Sequence, residues 1–173
     1  PKFANRPLTC VKISPDNKTA FYGCKDLTSV SIPESVTAIG ASAFNDCTKL
    51  SSIELPTTIT SIATKAFYGC RSLTSINIPS SLTTIYEATF QGCSGLTSLV
   101  IPNSVTKIED RAFCNCSGLT SETIPESVKQ IGKDVFYECT SLPVFNHIRY
   151  ADSYLIKVVD SKLESYFIKE GTK

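Results

Sequence analysis

The sequence predicts a solenoid, a stack of right-handed coils built from short parallel β-strands, and three observations predict it. Cys24, Cys47, Cys70, Cys93, Cys116 and Cys139 stand 23 residues apart. Pro33, Pro56, Pro79, Pro102 and Pro125 keep the same interval, as do Phe44, Phe67, Phe90, Phe113 and Phe136. A fixed period of this length marks stacked supersecondary units, each of which buries its apolar side chains only against its neighbours. Crossovers between parallel strands are right-handed, which sets the expected hand of the coils.

Counting from each Cys gives five complete units, 24–46, 47–69, 70–92, 93–115 and 116–138, here called coils 1 to 5. Their fourth residue is always Leu, from Leu27 to Leu119. Val30, Ile53, Ile76, Leu99 and Glu122 fill the seventh column, and Ile32, Leu55, Ile78, Ile101 and Ile124 the ninth. This period-two alternation reads as a short strand. The Pro that follows has no N–H to give and ends the ladder. A second short extended segment follows, with Val36, Ile59, Leu82, Val105 and Val128, then Ile39, Ile62, Ile85, Ile108 and Ile131. The stretch "ASAFNDC", free of Pro and carrying one apolar ring, is predicted to be a helical turn that closes the coil. One coil has no floor or ceiling for its apolar side chains. Stacking supplies both and adds backbone bonds between coils at a rise of about 4.8 Å.

The two ends depart from the period. Residues 1–23 predict an atypical, shortened repeat in which "SPDNKT" replaces the second extended segment by a tight turn. Residues 139–173 open a degenerate sixth unit at Cys139 and Leu142, lose register at "NHIRY", and continue as a hairpin-like pair of strands around "DSK". Its last residues, "YFIKEGTK", align with "VSIPESVT", which predicts a truncated further repeat. With Pro1 first and no Met anywhere, the chain reads as a piece of a longer protein, so a missing targeting segment carries no information.

Composition narrows the function classes. A net charge of +1 argues against nucleic-acid binding, which calls for a basic surplus. No apolar run is long enough to insert into a membrane. The sequence has no Gly-rich phosphate loop or nucleophile elbow, and its lone His147 cannot complete a triad or a metal site with Cys114 and Cys116. No catalytic residue, cofactor or metal is therefore assigned. Asn17-Lys18-Thr19 and Asn115-Cys116-Ser117 match the glycosylation sequon, a weak motif.

The pattern C-x-x-L-x-x-I-x-I-P-x-x-V-x-x-I-x-x-x-A-F-x-x-C is similar to the BspA-type leucine-rich repeat, over residues 24–138 in full. It departs from the commoner leucine-rich pattern at Ser35, Thr58, Ser81, Ser104 and Ser127, where Asn or Cys would stand. The resemblance implies a leucine-rich-repeat solenoid that is not an enzyme. It further implies a cell-surface or secreted protein engaged in adhesion to a protein ligand, such as a host extracellular-matrix or cell-surface protein. A structural spacer in a larger surface protein and an intracellular interaction scaffold are the alternatives.

Solenoids bind along their strand surface. The candidate partner-binding face is Thr28, Ser29, Ser31; Ser51, Ser52, Glu54; Thr74, Ser75, Asn77; Thr97, Ser98, Val100; and Thr120, Ser121, Thr123. It has none of the Trp, Tyr or Arg that dominate binding hot spots, so solvated strands are the plain alternative. Tyr22, Tyr68 and Tyr137, with Tyr86 nearby, form a rival patch. The Cys column is expected to be buried, free and structural. Cys114, in register with Tyr22, Tyr68 and Tyr137, is expected on the surface side, and Cys10 is expected to be exposed. Glu122 in an apolar column is expected to mark loosening where the last regular coil meets the irregular end.

Overall fold

The computed structural model describes residues 20–142, 144–145, 148–151 and 154–158. Residues 1–19 of the shortened first repeat, with Cys10 and Asn17, lie outside these residues, as do His147, the "DSK" turn, the final "YFIKEGTK" and the side chain of Glu122. Coil 1 holds β1 (Ser29–Ser31) and β2 (Ala38–Ile39), and coil 2 holds β3 (Ser52–Glu54) and β4 (Ser61–Ile62). Coil 3 holds only β5 (Thr84–Ile85). Coil 4 carries β6 (Ser98–Val100) and β7 (Lys107–Ile108), and coil 5 carries β8 (Ser121–Thr123) and β9 (Gln130–Ile131). Three strands follow: β10 (Val144–Phe145), β11 (Ile148–Ala151) and β12 (Tyr154–Val158).

The period sets the register. β1 pairs in parallel with β3 through Val30↔Ile53, and β6 with β8 through Leu99↔Glu122. On the second face β2 pairs with β4, and β5, β7 and β9 form one parallel ladder. Each Pro carbonyl between the two faces accepts the N–H three residues on, as in Val105 N–H to Pro102 O at 3.0 Å, so a tight turn links the two extended segments. The chain then leaves the period. β10, β11 and β12 form an antiparallel sheet, with β11 lying against β8. β12 lies in the segment expected to form a hairpin around "DSK", whose second strand lies outside the described residues.

The predicted helical turn does not form; among the described residues there is no helix. Ser42, Lys65, Ala88, Arg111 and Asp134 all have left-handed backbones, with φ between 52° and 59°. Four residues on, Asp46, Gly69, Gly92, Asn115 and Glu138 do too. A left-handed non-Gly residue costs about 1–2 kcal/mol and breaks helical continuity. What offsets it is bonding between coils. The N–H groups of Ser42, Phe44 and Asp46 donate to the carbonyls of Thr64, Ala66 and Tyr68 in the next coil, at 3.1, 2.8 and 2.7 Å. The same trio recurs as Arg111 to Lys133, Phe113 to Val135 and Asn115 to Tyr137. A helix would direct these donors within its own coil, whereas the close stack places the next coil's carbonyls within reach.

The interior is a column of rings. Phe21, Phe44, Phe67, Phe90, Phe113 and Phe136 stack with centroids 5.1–5.5 Å apart and planes within 7° of parallel. Leu50, Leu73, Leu96 and Leu119 are fully buried beside them.

The corner after each Cys differs along the stack. Coils 1 to 3 carry Asp26, Lys49 and Ser72 there, while coils 4 and 5 carry Gly95 and Gly118. Gly118 donates its N–H to Ser94 O at 3.0 Å, and a Cβ on it would lie 2.4 Å from that oxygen. Backbone cannot yield as a flexible side chain would. Gly118→Ala is therefore expected to destabilise the chain by about 1–3 kcal/mol, the cost of overpacking, seen as a lower Tm in a thermal melt.

Candidate recognition face

All fifteen residues of the strand face are exposed. They fall into three columns of different character. In the first, each hydroxyl donates to the backbone carbonyl one coil below: Ser51 Oγ to Thr28 O at 3.2 Å, Thr74 Oγ1 to Ser51 O at 3.3 Å, Thr97 Oγ1 to Thr74 O at 3.4 Å and Thr120 Oγ1 to Thr97 O at 3.0 Å. The second face repeats the device at Thr60 to Thr37 O (3.1 Å) and Thr106 to Thr83 O (3.3 Å). These hydroxyls stitch the coils together, and their donors are used. The second column is Ser29, Ser52, Ser75, Ser98 and Ser121, one serine per coil. The third, Ser31, Glu54, Asn77, Val100 and Thr123, is the one that varies in chemistry. Val100 is 68% exposed, well above the other large hydrophobic residues that reach solvent.

The charged pairs among the described residues involve none of these fifteen side chains. Lys49 Nζ meets Asp26 Oδ1 at 2.8 Å, and this bond holds the Asp26 carboxyl below the usual carboxylate range and the Lys49 ammonium above its own. Lys107 Nζ meets Glu109 Oε1 at 2.8 Å, which raises Lys107, and Arg111 faces Asp134 at 3.8 Å. An open groove of about 420 Å³ lies around Glu87, Lys107, Glu109, Asp110, Gln130 and Gly132. Two of its three acids are engaged: Glu109 Oε2 accepts the Glu87 N–H at 3.2 Å, and Asp110 Oδ1 accepts the Lys133 N–H at 2.8 Å. Among the described residues no group of His, Cys, Asp and Glu is placed to hold a metal ion.

The Cys column has a specific reason. Cys47, Cys70, Cys93, Cys116 and Cys139 each point Sγ at the carbonyl of the Phe 26 residues earlier, from 3.1 Å for Cys47 to Phe21 O to 3.3 Å for Cys116 to Phe90 O. A thiol gives that carbonyl a weak donor without burying a strongly hydrated group. These five are buried, and none of them is in a disulfide. Burial pushes Cys47 up to about 11 and Cys93 up to about 12. Burial also raises Cys70, while the hydrogen bond with Cys139, followed by burial, raises Cys116.

Two expectations about cysteine are corrected. Cys24 is disulfide-bonded, so the free-thiol reading fails at the first rung of the column. Cys114, expected on the surface side, is only 4% exposed. Its thiol is small enough to fold under the turn edge, where Tyr22 and Tyr137 in the same register reach solvent. The rival Tyr patch is not one surface either, because Tyr86 belongs to a different column and Tyr22 and Tyr137 sit at opposite ends of the stack.

Three of the five Ser and Thr residues in the place of the usual leucine-rich Asn carry a role not anticipated from the pattern, while the buried Ser104 hydroxyl has no such bond. Thr58 Oγ1 donates to Val36 O and Ser127 Oγ to Val105 O, both at 2.8 Å, and Ser81 Oγ donates to Ile59 O. The signal was the column itself, a hydroxyl retained at one offset in all five coils.

A family profile described as BspA type leucine rich repeat region matches the sequence in six copies across residues 17–143. Solved structures share the architecture. A leucine-rich cell surface protein from Faecalibacterium prausnitzii is 38% identical over 67% of this chain and 31% of its own, with a TM-score of 0.65. The leucine-rich repeat protein of T. pallidum is 37% identical over 73% of this chain and 70% of its own, with a TM-score of 0.61. The pneumococcal vaccine antigen PcpA is 26% identical over 75% and 33%, with a TM-score of 0.60. The chain thus spans about a third of the Faecalibacterium protein's length. No curated protein matches it. No helix among the described residues is long and apolar enough to cross a membrane.

Proposed function

The chain belongs to the BspA-type leucine-rich repeat family, and on that footing we propose that it is a non-enzymatic recognition module of a cell-surface or secreted protein, binding a protein partner through its strand face. The observation that carries this reading is the contrast between columns. The Thr column is consumed by the fold, while Ser31, Glu54, Val100 and Thr123 of the third column vary in chemistry on the exposed surface. Val100 supplies an exposed apolar contact near the middle of that surface. The names of the Faecalibacterium and pneumococcal proteins support a surface setting. So does the disulfide at Cys24, because such bonds persist in oxidising compartments, and this weighs against an intracellular scaffold.

A spacer without a ligand is the second reading. It is favoured by the Thr hydroxyls, whose donors the stack itself uses. Capture of immobilised extracellular-matrix proteins and of host cells by the purified chain separates the two. Partner binding should weaken by about tenfold or more in Ser75→Arg, which places a long charged side chain at the centre of the face. Equal capture by the variant moves the site elsewhere, and no capture by the native chain supports the spacer.

A further inference from the structure

We infer that Asn77 holds the strand segment of coil 3 out of the first-face ladder, making a local element that can pair or unpair with its neighbours. Coils 1 and 2 pair through β1 and β3, and coils 4 and 5 through β6 and β8, but coil 3 contributes no strand between them. Its residues Ser75-Ile76-Asn77-Ile78 have the same alternation as the other coils, so the interruption does not come from strand propensity. Among the described residues no backbone hydrogen bond joins Ser75, Ile76, Asn77 or Ile78 to a neighbouring coil.

The Asn77 side chain occupies the position the ladder would use. In coils 4 and 5 the Ile101 N–H donates to the Thr123 backbone carbonyl at 3.2 Å. At the equivalent place between coils 2 and 3, the Leu55 N–H donates instead to Asn77 Oδ1 at 3.0 Å, and Asn77 Nδ2 donates back to Leu55 O at 2.8 Å. The carboxamide mimics a peptide group and satisfies both polar groups of Leu55 at once. Packing reports the same displacement. Ile76 and Ile78 are only partly buried, whereas Ile53 and Leu55 below and Leu99 and Ile101 above are buried. The second face is also unpaired between β4 and β5. The turn edge stays bonded there, through Phe67 N–H to Thr89 O at 2.9 Å and Gly69 N–H to Gln91 O at 2.8 Å. Coils 2 and 3 thus lack strand pairing on both faces and are held there by isolated bonds, Thr74 N–H to Ser51 O at 3.3 Å, the Asn77 clip and Ser81 Oγ to Ile59 O, beside the intact turn edge.

Val100 and Thr123, the residues at this offset in coils 4 and 5, cannot form the two-bond clip and sit in paired strands. Because Asn77 lies on the proposed recognition face, a partner that bonded its carboxamide would release Leu55 and let coil 3 join the ladder, a consequence that rests on the recognition reading.

Residue-resolved amide exchange on the free chain tests the device without any partner. The Ile78 amide should exchange about tenfold or more faster than the Ile101 amide. Asn77→Val should slow Ile78 to the Ile101 rate. An Ile78 amide already as slow as Ile101 in the native chain, or one unchanged in a folded Asn77→Val protein, overturns the inference. Should Asn77→Val not fold, Asn77→Thr puts the coil 5 residue at the same offset and is judged by the same rates.

Discussion

Phe90→Ala is expected to lower stability by about 3–5 kcal/mol, the usual loss for truncating a fully buried aromatic ring. Phe90 is 1% exposed and is sandwiched between Phe67 at 5.5 Å and Phe113 at 5.3 Å. Removing it opens a cavity in coil 3, between the rings of coils 2 and 4, and strips a stacking partner from each of them. A typical domain is stable by only about 5–15 kcal/mol, so one ring is a large share. Position along the stack should matter. Phe21 is only half-buried, at the end of the described column, so Phe21→Ala is expected to cost clearly less. Urea unfolding of both variants at neutral pH makes the comparison. Equal, small losses would mean that the rings do not support one another.

The second large effect is alkaline destabilisation. Buried thiols keep their protons in the folded chain to about 11 for Cys47 and about 12 for Cys93, whereas the unfolded chain releases them from about pH 9. Above pH 9 the unfolded state therefore binds fewer protons than the folded one, and stability must fall as pH rises. The contribution is complete below the unfolded value and is lost as pH climbs through the folded values. Each thiol of this kind removes up to about 1.4 kcal/mol per pH unit. Unfolding free energies measured from pH 8 to pH 11 should decline more steeply above 9. Cys93→Ala should make the decline shallower by one thiol's share. A flat profile would mean that the sulfur atoms are not excluded from water.

Much of the architecture could be read from spacing alone, because a residue repeated every 23 positions must lie over its counterpart, and apolar identity says it lies inside. That reasoning placed the Phe, Leu and Cys columns and the strand face without coordinates. It failed where the backbone rather than the side chain decides. Ser42, Lys65 and Arg111 carry no hint that they turn left-handed, since ordinary residues take that conformation only when inter-coil bonds compensate for it. Cys114 was misplaced because its column was judged by its larger Tyr members. Asn77 looked like one more polar residue on a solvated strand. Only the distances to both polar groups of Leu55 show that it replaces a peptide group. Spacing also located an exposed strand face, while telling the hydroxyls spent on stitching from the other side chains of that face required the hydrogen-bond geometry.

Underlying all of this is the claim that successive units stack directly over one another around one continuous interior. Through-space contacts between ring protons, measured in solution on a chain labelled only at Phe, test it most directly. The account predicts an unbroken series of contacts from Phe44 to Phe67, Phe67 to Phe90 and Phe90 to Phe113, with none between rings two coils apart. Missing steps in that series, or contacts that skip a coil, would contradict it.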